Sequence, residues 1–216
     1  MNSSLDQRKV GLLIGALIVL GVGIYFFQQS ADKKEDAAKS ALYQVETTYD
    51  SEQKALSGPD RAAGTALDVD AKFPKTVSGY KEMLTSKSAP SRILFEAGVK
   101  LGTLYLGHNQ AEKAIPVLKE TKLATSSAFQ KATLFYLLGT AEERASQFKD
   151  ASVSYQTGVD ANVDGLKGEL MLGLVRTSMK MNDKEKAKLY YEKMNKDLNG
   201  SRSTQMAAEL VKGNQS

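Results

Sequence analysis

The residues of this chain that are best suited to catalysis or metal binding are one histidine and two pairs of carboxylates. His108 is the only histidine among 216 residues, and Glu142-Glu143 and Asp68/Asp70 each place two acidic side chains close together. Paired carboxylates perform acid–base or metal chemistry when a suitable basic partner or further ligand accompanies them. Neither pair has a basic partner of a type suited to such chemistry. We therefore interpret both pairs as solvated faces, and we expect His108 to have a capping or surface role in a turn.

Other signatures of catalysis or ligand binding are absent from the sequence. The chain has no cysteine, which excludes disulfides, thiolate metal sites and a cysteine nucleophile. The segment LGTLYLG at 101–107 spaces its glycines as helix packing requires and does not match a Gly-rich phosphate loop. The sequence therefore predicts a non-catalytic protein with no metal site, no cofactor and no small-molecule substrate.

Charge is spread along the chain without a strong concentration of either sign. The sequence has 29 basic and 25 acidic side chains, a net charge of +4. Interspersed charges of this kind indicate a solvated surface and argue against nucleic-acid binding. The run from Lys180 to Lys196 alternates lysine with acidic residues. We interpret it as the outer face of the last helices; a docking strip for an acidic partner is the alternative.

An N-terminal segment has the length and composition of a membrane anchor. Residues 10–27 are 18 residues without a charge, and as a helix they would extend ~27 Å, close to the hydrocarbon thickness of a bilayer. Signal peptides have a shorter apolar region, of roughly 7–15 residues, before a small-x-small cleavage site. A cleavage site after Ala31 would require a small residue at position 29, where this sequence has Gln29. We therefore favour an uncleaved transmembrane helix over a cleaved signal peptide.

Basic residues near the anchor indicate its orientation. Arg8 and Lys9 directly precede the apolar segment, whereas Lys33 and Lys34 behind it are interleaved with acidic residues. Lysine and arginine beside a membrane helix mark the cytoplasmic side. Residues 1–31 are thus predicted to be a short cytoplasmic N-terminus and a single anchor, with the rest of the chain on the other side of the membrane.

Residues 32–91 are predicted to form leading helices. The segment 32–56 is rich in Ala, Lys and Glu and has apolar residues at helical spacing. Ser57-Gly58-Pro59 breaks this helix, and a second helix ends before Phe73-Pro74. A further stretch at 76–90 is the least readable part of the chain.

A repeat begins near residue 92. Three alanines recur at offsets of 37 and 36 residues, each four residues before a large side chain and each preceded by a Leu-Gly or Leu-Val dipeptide. In a pair of helices, the small residue allows close approach and the large one fills the groove beside it. The aligned alanines and large residues are Ala114, Ala151, Ala187, Leu118, Tyr155 and Tyr191.

The turns between the paired helices carry their own signals. Asn109 and Asn182 are each followed three residues later by a glutamate, Glu112 and Glu185, which is a start signal for the second helix of a pair. Pro116 falls inside the second helix of the first pair. A proline there should kink the helix or delay its start.

These residues resemble tetratricopeptide repeats, in which Leu-Gly, a small turn residue, Ala and an aromatic residue recur. The middle repeat matches best, through Leu138, Gly139, Ala151, Tyr155 and Gly158. The resemblance implies an all-α fold: one N-terminal transmembrane helix followed by a helical solenoid. Residues 92–216 would then hold about three degenerate repeats and a C-terminal helix.

In a solenoid of this kind the first helix of each repeat lines the concave face, where an extended or helical peptide can bind. The alternative is that the C-terminal helix, 203–212, fills this groove with Met206, Leu210 and Val211 facing inward. The positions that the repeat register directs outward are Glu96, Val99, Thr103, Leu106, Thr133, Tyr136, Thr140, Glu143, Arg144, Glu169, Leu172, Arg176 and Met179.

The whole arrangement resembles the YfgM family, bacterial inner-membrane proteins regarded as ancillary subunits of the SecYEG translocon. The resemblance extends over residues 8–210, and its local match is best at FPKT (73–76) and over 95–118. It implies a periplasmic repeat domain with a chaperone-like or scaffolding role. Its partners would be proteins: translocon subunits, a membrane-bound prolyl isomerase or exported polypeptides. The alternative is a repeat scaffold for envelope assembly or a signalling complex unrelated to protein export.

The anchor interpretation predicts that residues 10–27 remain in the mature protein. The apolar segment is longer than that of a signal peptide and lacks a cleavage site. Intact-mass measurement of the membrane-extracted protein tests this directly. A mass that lacks the first 31 residues would show that the segment is a signal peptide.

Overall fold

A computed structural model of the chain describes residues 30–56, 67–86 and 89–213. Every regular element in these ranges is a helix, so the predicted all-α class is confirmed for the part of the chain described. The helices are α1 (30–55), α2 (Val69–Lys72), α3 (Pro74–Thr85), α4 (Ser91–Gly107), α5 (Ala111–Thr121), α6 (Ala128–Arg144), α7 (Phe148–Val159), α8 (Asp164–Lys180), α9 (Lys184–Asp197) and α10 (Arg202–Lys212), with a 3₁₀ turn at Lys122–Ala124.

The first described helix agrees with the sequence interpretation. Helix α1 covers 30–55, against the predicted 32–56, and buries Ala38 and Leu42 in the core. None of the described helices combines the length and the apolar character needed to cross a bilayer. The predicted anchor, 10–27, and the predicted break at 57–59 lie outside the described residues.

Helix α1 also caps a helix that is distant in sequence. Helix α3 begins at Pro74, and its N-cap residue, Phe73, makes no side-chain capping bond. The Glu52 carboxylate supplies the missing acceptor: it accepts from the backbone N–H groups of Lys75 (3.0 Å) and Thr76 (3.2 Å) and from the Thr76 hydroxyl (2.6 Å). A carboxylate is favourable there because unpaired N–H groups give a helix N-terminus partial positive charge.

From α4 onward the helices form hairpins that pack one after another, in the manner of a solenoid. Helices α4 and α5, α6 and α7, and α8 and α9 form the three hairpins, and each also contacts the next along the chain. The first helices of successive hairpins touch as well: α4 contacts α6, and α6 contacts α8. Helix α10 packs on both α8 and α9 and closes the stack at its C-terminal end.

The three hairpin turns share one backbone geometry. Asn109, Ser146 and Asn182 each have a φ of 59°, the left-handed conformation that ends many helices. The asparagines predicted to start the second helices therefore end the first ones instead, and this prediction is wrong. In each turn, the N–H of the following residue donates to a carbonyl five positions back: Gln110 to Tyr105 (2.9 Å), Gln147 to Glu142 (2.8 Å) and Asp183 to Ser178 (2.9 Å).

Pro116 lies inside α5, which begins at Ala111 and continues to Thr121. The predicted delay of the helix start is therefore wrong. Proline has no backbone N–H, so the turn around Pro116 lacks one helical hydrogen bond. The Pro116 side chain is exposed, and the ring therefore occupies no space in the core.

The close approach predicted for paired helices occurs in the first two hairpins, at the glycine of each Leu-Gly dipeptide. A Cβ atom on Gly102 would lie 2.6 Å from Leu118 Cδ2, and one on Gly139 would lie 2.7 Å from the Tyr155 ring. A second glycine, Gly173, lies against the other edge of the same ring: a Cβ on Gly173 would lie 2.6 Å from Tyr155 Cε2. Tyr155 is completely buried, held between α6 and α8.

Replacing Tyr155 by alanine should lower the free energy of unfolding by about 3–5 kcal/mol, as for other large-to-small aromatic changes in cores. Gly139→Leu should be comparably destabilising, because its side chain would overlap the Tyr155 ring. Thermal and urea unfolding measure both changes. Tyr43→Ala is the control, because Tyr43 is 67% exposed. Unshifted melting of both core variants would contradict this packing.

Candidate functional site

The candidate site is the face formed by α4, α6 and α8, the first helices of the three hairpins. Five uncharged residues predicted to bind a partner leave part of their surface open on it, and we call these five the A-face stripe. The charged residues Glu143, Arg144 and Arg176 also keep part of their surface open. Thr103 is exposed, and the other four members are half-buried. The stripe consists of Val99, Thr103, Tyr136, Thr140 and Met179.

The α4 end of the stripe opens into a groove. Val99 and Thr103 line it from α4, and residues of α1 and α3 form its other walls. The groove encloses about 520 Å³. Helix α1 therefore takes part in the site, although the repeat register assigns the site to the first helices of the hairpins alone.

The middle of the stripe lies on α6. The Thr140 hydroxyl donates to the Tyr136 carbonyl oxygen (2.8 Å) within the helix and lies 3.3 Å from the Tyr155 hydroxyl. The Tyr136 side chain packs against the buried cluster around Tyr155 while staying partly open to solvent. Tyr136 is therefore a rigidly supported aromatic surface, a type enriched among binding hot spots.

Glu143 and Arg176, both predicted to bind a partner, bind each other across α6 and α8. Arg176 donates from Nε (2.9 Å) and from an Nη nitrogen (2.8 Å) to the two carboxylate oxygens. Glu143 also accepts from the Tyr155 hydroxyl (2.8 Å). Hydrogen bonding to Glu143 raises the pKa of Arg176, and burial together with the Glu143 charge raises the pKa of Tyr155. This network fixes the two helices relative to each other.

Arg144, also predicted to contact a partner, binds the preceding hairpin. Its guanidinium donates to the Leu106 carbonyl oxygen (2.7 Å), in the last turn of α4. Helix C-termini leave carbonyl groups without intrahelical partners and carry partial negative charge, so a guanidinium is favourable there. Arg144 therefore joins the first and second hairpins.

Helix α10 packs on α8 and α9 beside the α8 end of the face. Leu172 is only 1% exposed, so its prediction as a partner-binding residue is wrong. The Ser203 hydroxyl donates to the Glu169 carboxylate (2.7 Å). Of the three α10 residues predicted to face inward, Val211 packs against the cluster that contains Leu172, whereas Met206 and Leu210 are 43% and 38% exposed. The buried residues of α10 are Ser203, Thr204 and Ala207.

Glu142, predicted to lie on a solvated face, is 2% exposed. The Ser154 hydroxyl donates to it (2.6 Å), and Lys119 Nζ lies 3.5 Å from its other oxygen. Burial raises the pKa of Glu142, and these two partners oppose that rise. The sequence interpretation missed this arrangement because both partners lie on other helices.

Asp68 and Asp70 are likewise held by partners distant in sequence. Lys113 Nζ lies 2.6 Å from both carboxylates, and Asp70 also accepts from the Tyr105 hydroxyl (2.9 Å) and from Lys81 (3.1 Å). Burial alone would raise the pKa of Asp70, but these hydrogen bonds outweigh it and lower the pKa to about 2. The resulting stabilisation is present above the ordinary value of 3.8 and is lost as the pH falls through about 2.

His108 follows α4 at its C-cap position and is 6% exposed. The predicted place in a turn is confirmed, but a surface role is wrong. Its ring lies 5.8 Å from the Phe73 ring, and its Nδ1 atom has no hydrogen-bond partner. Burial lowers the pKa of His108. The residue lines the groove beside Val99 and Thr103.

Clusters of three or more histidine, cysteine, aspartate or glutamate side chains able to hold a metal ion do not occur within 30–56, 67–86 and 89–213. No family model, no curated protein and no solved structure matches the chain. The function of the protein is therefore inferred from the geometry of the A-face stripe and its surroundings, together with the sequence patterns.

The Glu143–Arg176 pair predicts a measurable loss of stability. Arg176→Met should lower the free energy of unfolding by about 1–3 kcal/mol, because it leaves the partly buried Glu143 carboxylate without its cation. Lys188→Met is the matched control. Lys188 Nζ lies 4.0 Å from the Glu192 carboxylate, and both side chains are 59% exposed, so the free energy of unfolding should change by no more than about 0.5 kcal/mol. Equal effects in urea unfolding would show that Arg176 has no structural role.

Proposed function

We propose that this protein is a membrane-anchored, non-catalytic interaction protein that holds a partner polypeptide on the A-face stripe. The observation that carries the proposal is the stripe itself. Its residues stay open to solvent on the first helices of three consecutive hairpins, while α1 forms a wall beside α4 and α10 packs on α8 at the other end. A polypeptide bound there would contact all three hairpins at once.

The chemistry of the A-face stripe suits a polypeptide ligand. Tyr136 offers an aromatic surface, Val99 and Met179 offer aliphatic ones, and the threonines offer hydroxyl groups. Apolar and aromatic anchors with a few polar groups are typical of peptide-binding grooves formed by helices. Methionine adapts its shape to different apolar partners, which fits a surface that receives several sequences.

The cellular setting of the proposal comes from the sequence. The apolar segment 10–27, the basic residues before it and the resemblance to the YfgM family support an anchor in the bacterial inner membrane, with a tetratricopeptide-like domain in the periplasm. The protein would then be an ancillary subunit of the Sec translocon with a chaperone-like or scaffolding role. Translocon subunits, a membrane-bound prolyl isomerase or exported polypeptides would be its partners.

Site-specific photocrosslinking in native membranes tests the proposal. A photoreactive amino acid placed at Thr103, Tyr136 or Met179 should crosslink to a partner protein. The same amino acid at Val153 or Leu189, on the second helices of their hairpins and 67% and 62% exposed, should not. Mass spectrometry of the crosslinked bands identifies the partner.

The pattern of crosslinks from the stripe positions and from the control positions shows how the proposal fails, if it fails. Crosslinks that form only from Val153 and Leu189 would place the docking surface on the second helices. Crosslinks from the A-face stripe to envelope-assembly or signalling proteins, without any component of protein export, would favour the alternative scaffold function.

A further inference from the structure

The groove at the α4 end of the A-face stripe has aromatic walls. Tyr49 of α1 and Tyr80 of α3 line it together with His108. The Tyr49 and Phe73 rings are tilted to each other with their centroids 5.3 Å apart, and Phe73 in turn lies beside His108. Tyr80 is 4% exposed, whereas Tyr49 is half-buried and keeps part of its surface open. A tyrosine ring attracts cations through the negative charge of its face, so the open part of Tyr49 suits a positively charged group.

The same groove carries an excess of carboxylates. Glu46 and Asp50 line it from α1, and Lys100 is the basic residue that lines it. Glu96, one turn before Lys100, adds a further negative charge. Burial first, and then these carboxylates together with the neighbouring Tyr49, raise the pKa of Tyr80 to about 12. Negative charge in a partly enclosed groove concentrates cations there.

Lys100 already occupies part of this acidic site. Its ammonium lies 2.8 Å from Glu46 and 3.9 Å from Glu96. The Lys100 and Glu46 side chains are 39% and 36% exposed, and exposed ion pairs of this kind contribute little to stability. An incoming cation can therefore compete with Lys100 for the Glu46 carboxylate.

His108 provides a separate observation. The residue lines the groove and is 6% exposed, and its Nδ1 atom is buried without a hydrogen-bond partner. A buried polar atom without a hydrogen bond is unfavourable and requires an explanation in the folded structure. A ligand that donates hydrogen bonds, or water that it brings into the groove, would supply the missing partner.

We propose that this groove binds a lysine or arginine side chain of the partner polypeptide, with Glu46 and Asp50 as its anionic partners and the two tyrosine rings as its walls. The proposal depends on the proposed function only in taking the ligand to be a polypeptide. Lys100 acts as an internal competitor: when the external cation binds, Lys100 gives up Glu46 and remains near Glu96.

The single histidine makes occupancy of the groove directly observable. The full chain, labelled with ¹³C at histidine and held in detergent micelles, gives imidazole signals from His108 alone. The probes are capped tripeptides Ala-Arg-Ala, Ala-citrulline-Ala and Ala-Glu-Ala. Citrulline has nearly the shape of arginine without its charge. Ala-Arg-Ala should shift the His108 signals saturably, and the other two peptides should not.

Charge variants make the test specific, because they act in opposite directions. Asp50→Asn should weaken Ala-Arg-Ala binding about two- to fivefold, and Lys100→Gln should strengthen it by a similar factor, as for single charges at partly exposed sites. Lys167→Gln and Asp197→Asn are matched controls, because this ion pair joins α8 to the end of α9. They should leave the affinity unchanged.

The outcomes separate this inference from the proposed function. Absence of a His108 response to Ala-Arg-Ala, an equal response to the citrulline or glutamate peptide, or weaker binding by Lys100→Gln would each overturn the cation site. Crosslinking from Tyr136 and Met179 can persist in all of these cases, and the proposed function would then stand. A saturable His108 response without any crosslinking would support the cation site and remove the proposed function.

Discussion

The side chain of Tyr155 determines the relative positions of three helices. Its ring fits between glycines of α6 and α8, at distances that leave no room for a Cβ atom at either position. Its hydroxyl points toward the face formed by α4, α6 and α8, where it donates to Glu143, which also binds Arg176. One residue of α7 therefore sets both the spacing of the first helices and the polar network between them. The A-face stripe has a defined shape because this spacing is fixed.

Around this constraint, the local part of the fold was predictable from the sequence. The contact of Gly139 with Tyr155 lies within one hairpin, so a small residue and a large one at fixed spacing reveal it. The contact with Gly173 was not predictable. The repeat register places Leu174-Val175 at the equivalent position, and Gly173 precedes it by one residue. Only the packing of the next hairpin brings Gly173 against the ring.

The solvent exposure of each site residue depends on helices that pack against it but do not belong to the repeat pattern. Hydrophobicity predicts that Met206 faces inward on α10, yet the small residues Ser203 and Ala207 do so. The reason is the close approach of α10 to α8, where Ser203 Oγ lies 3.0 Å from the place that a Cβ on Gly168 would take. Large side chains cannot enter such a contact, so Met206 lies outside it. Glu142 is likewise buried among partners that are distant in sequence, Ser154 and Lys119.

The capping of α3 by Glu52 has a mechanical consequence for a tethered domain. One face of helix α1 packs on the core from Ala38 onward, and its far end is fastened to α3 through the Glu52 carboxylate. If the chain is held by a segment before residue 30, tension enters along the α1 axis. The whole packed interface of α1 then bears the load in shear, with its contacts acting in parallel. A helix attached only at its near end would peel away one contact at a time.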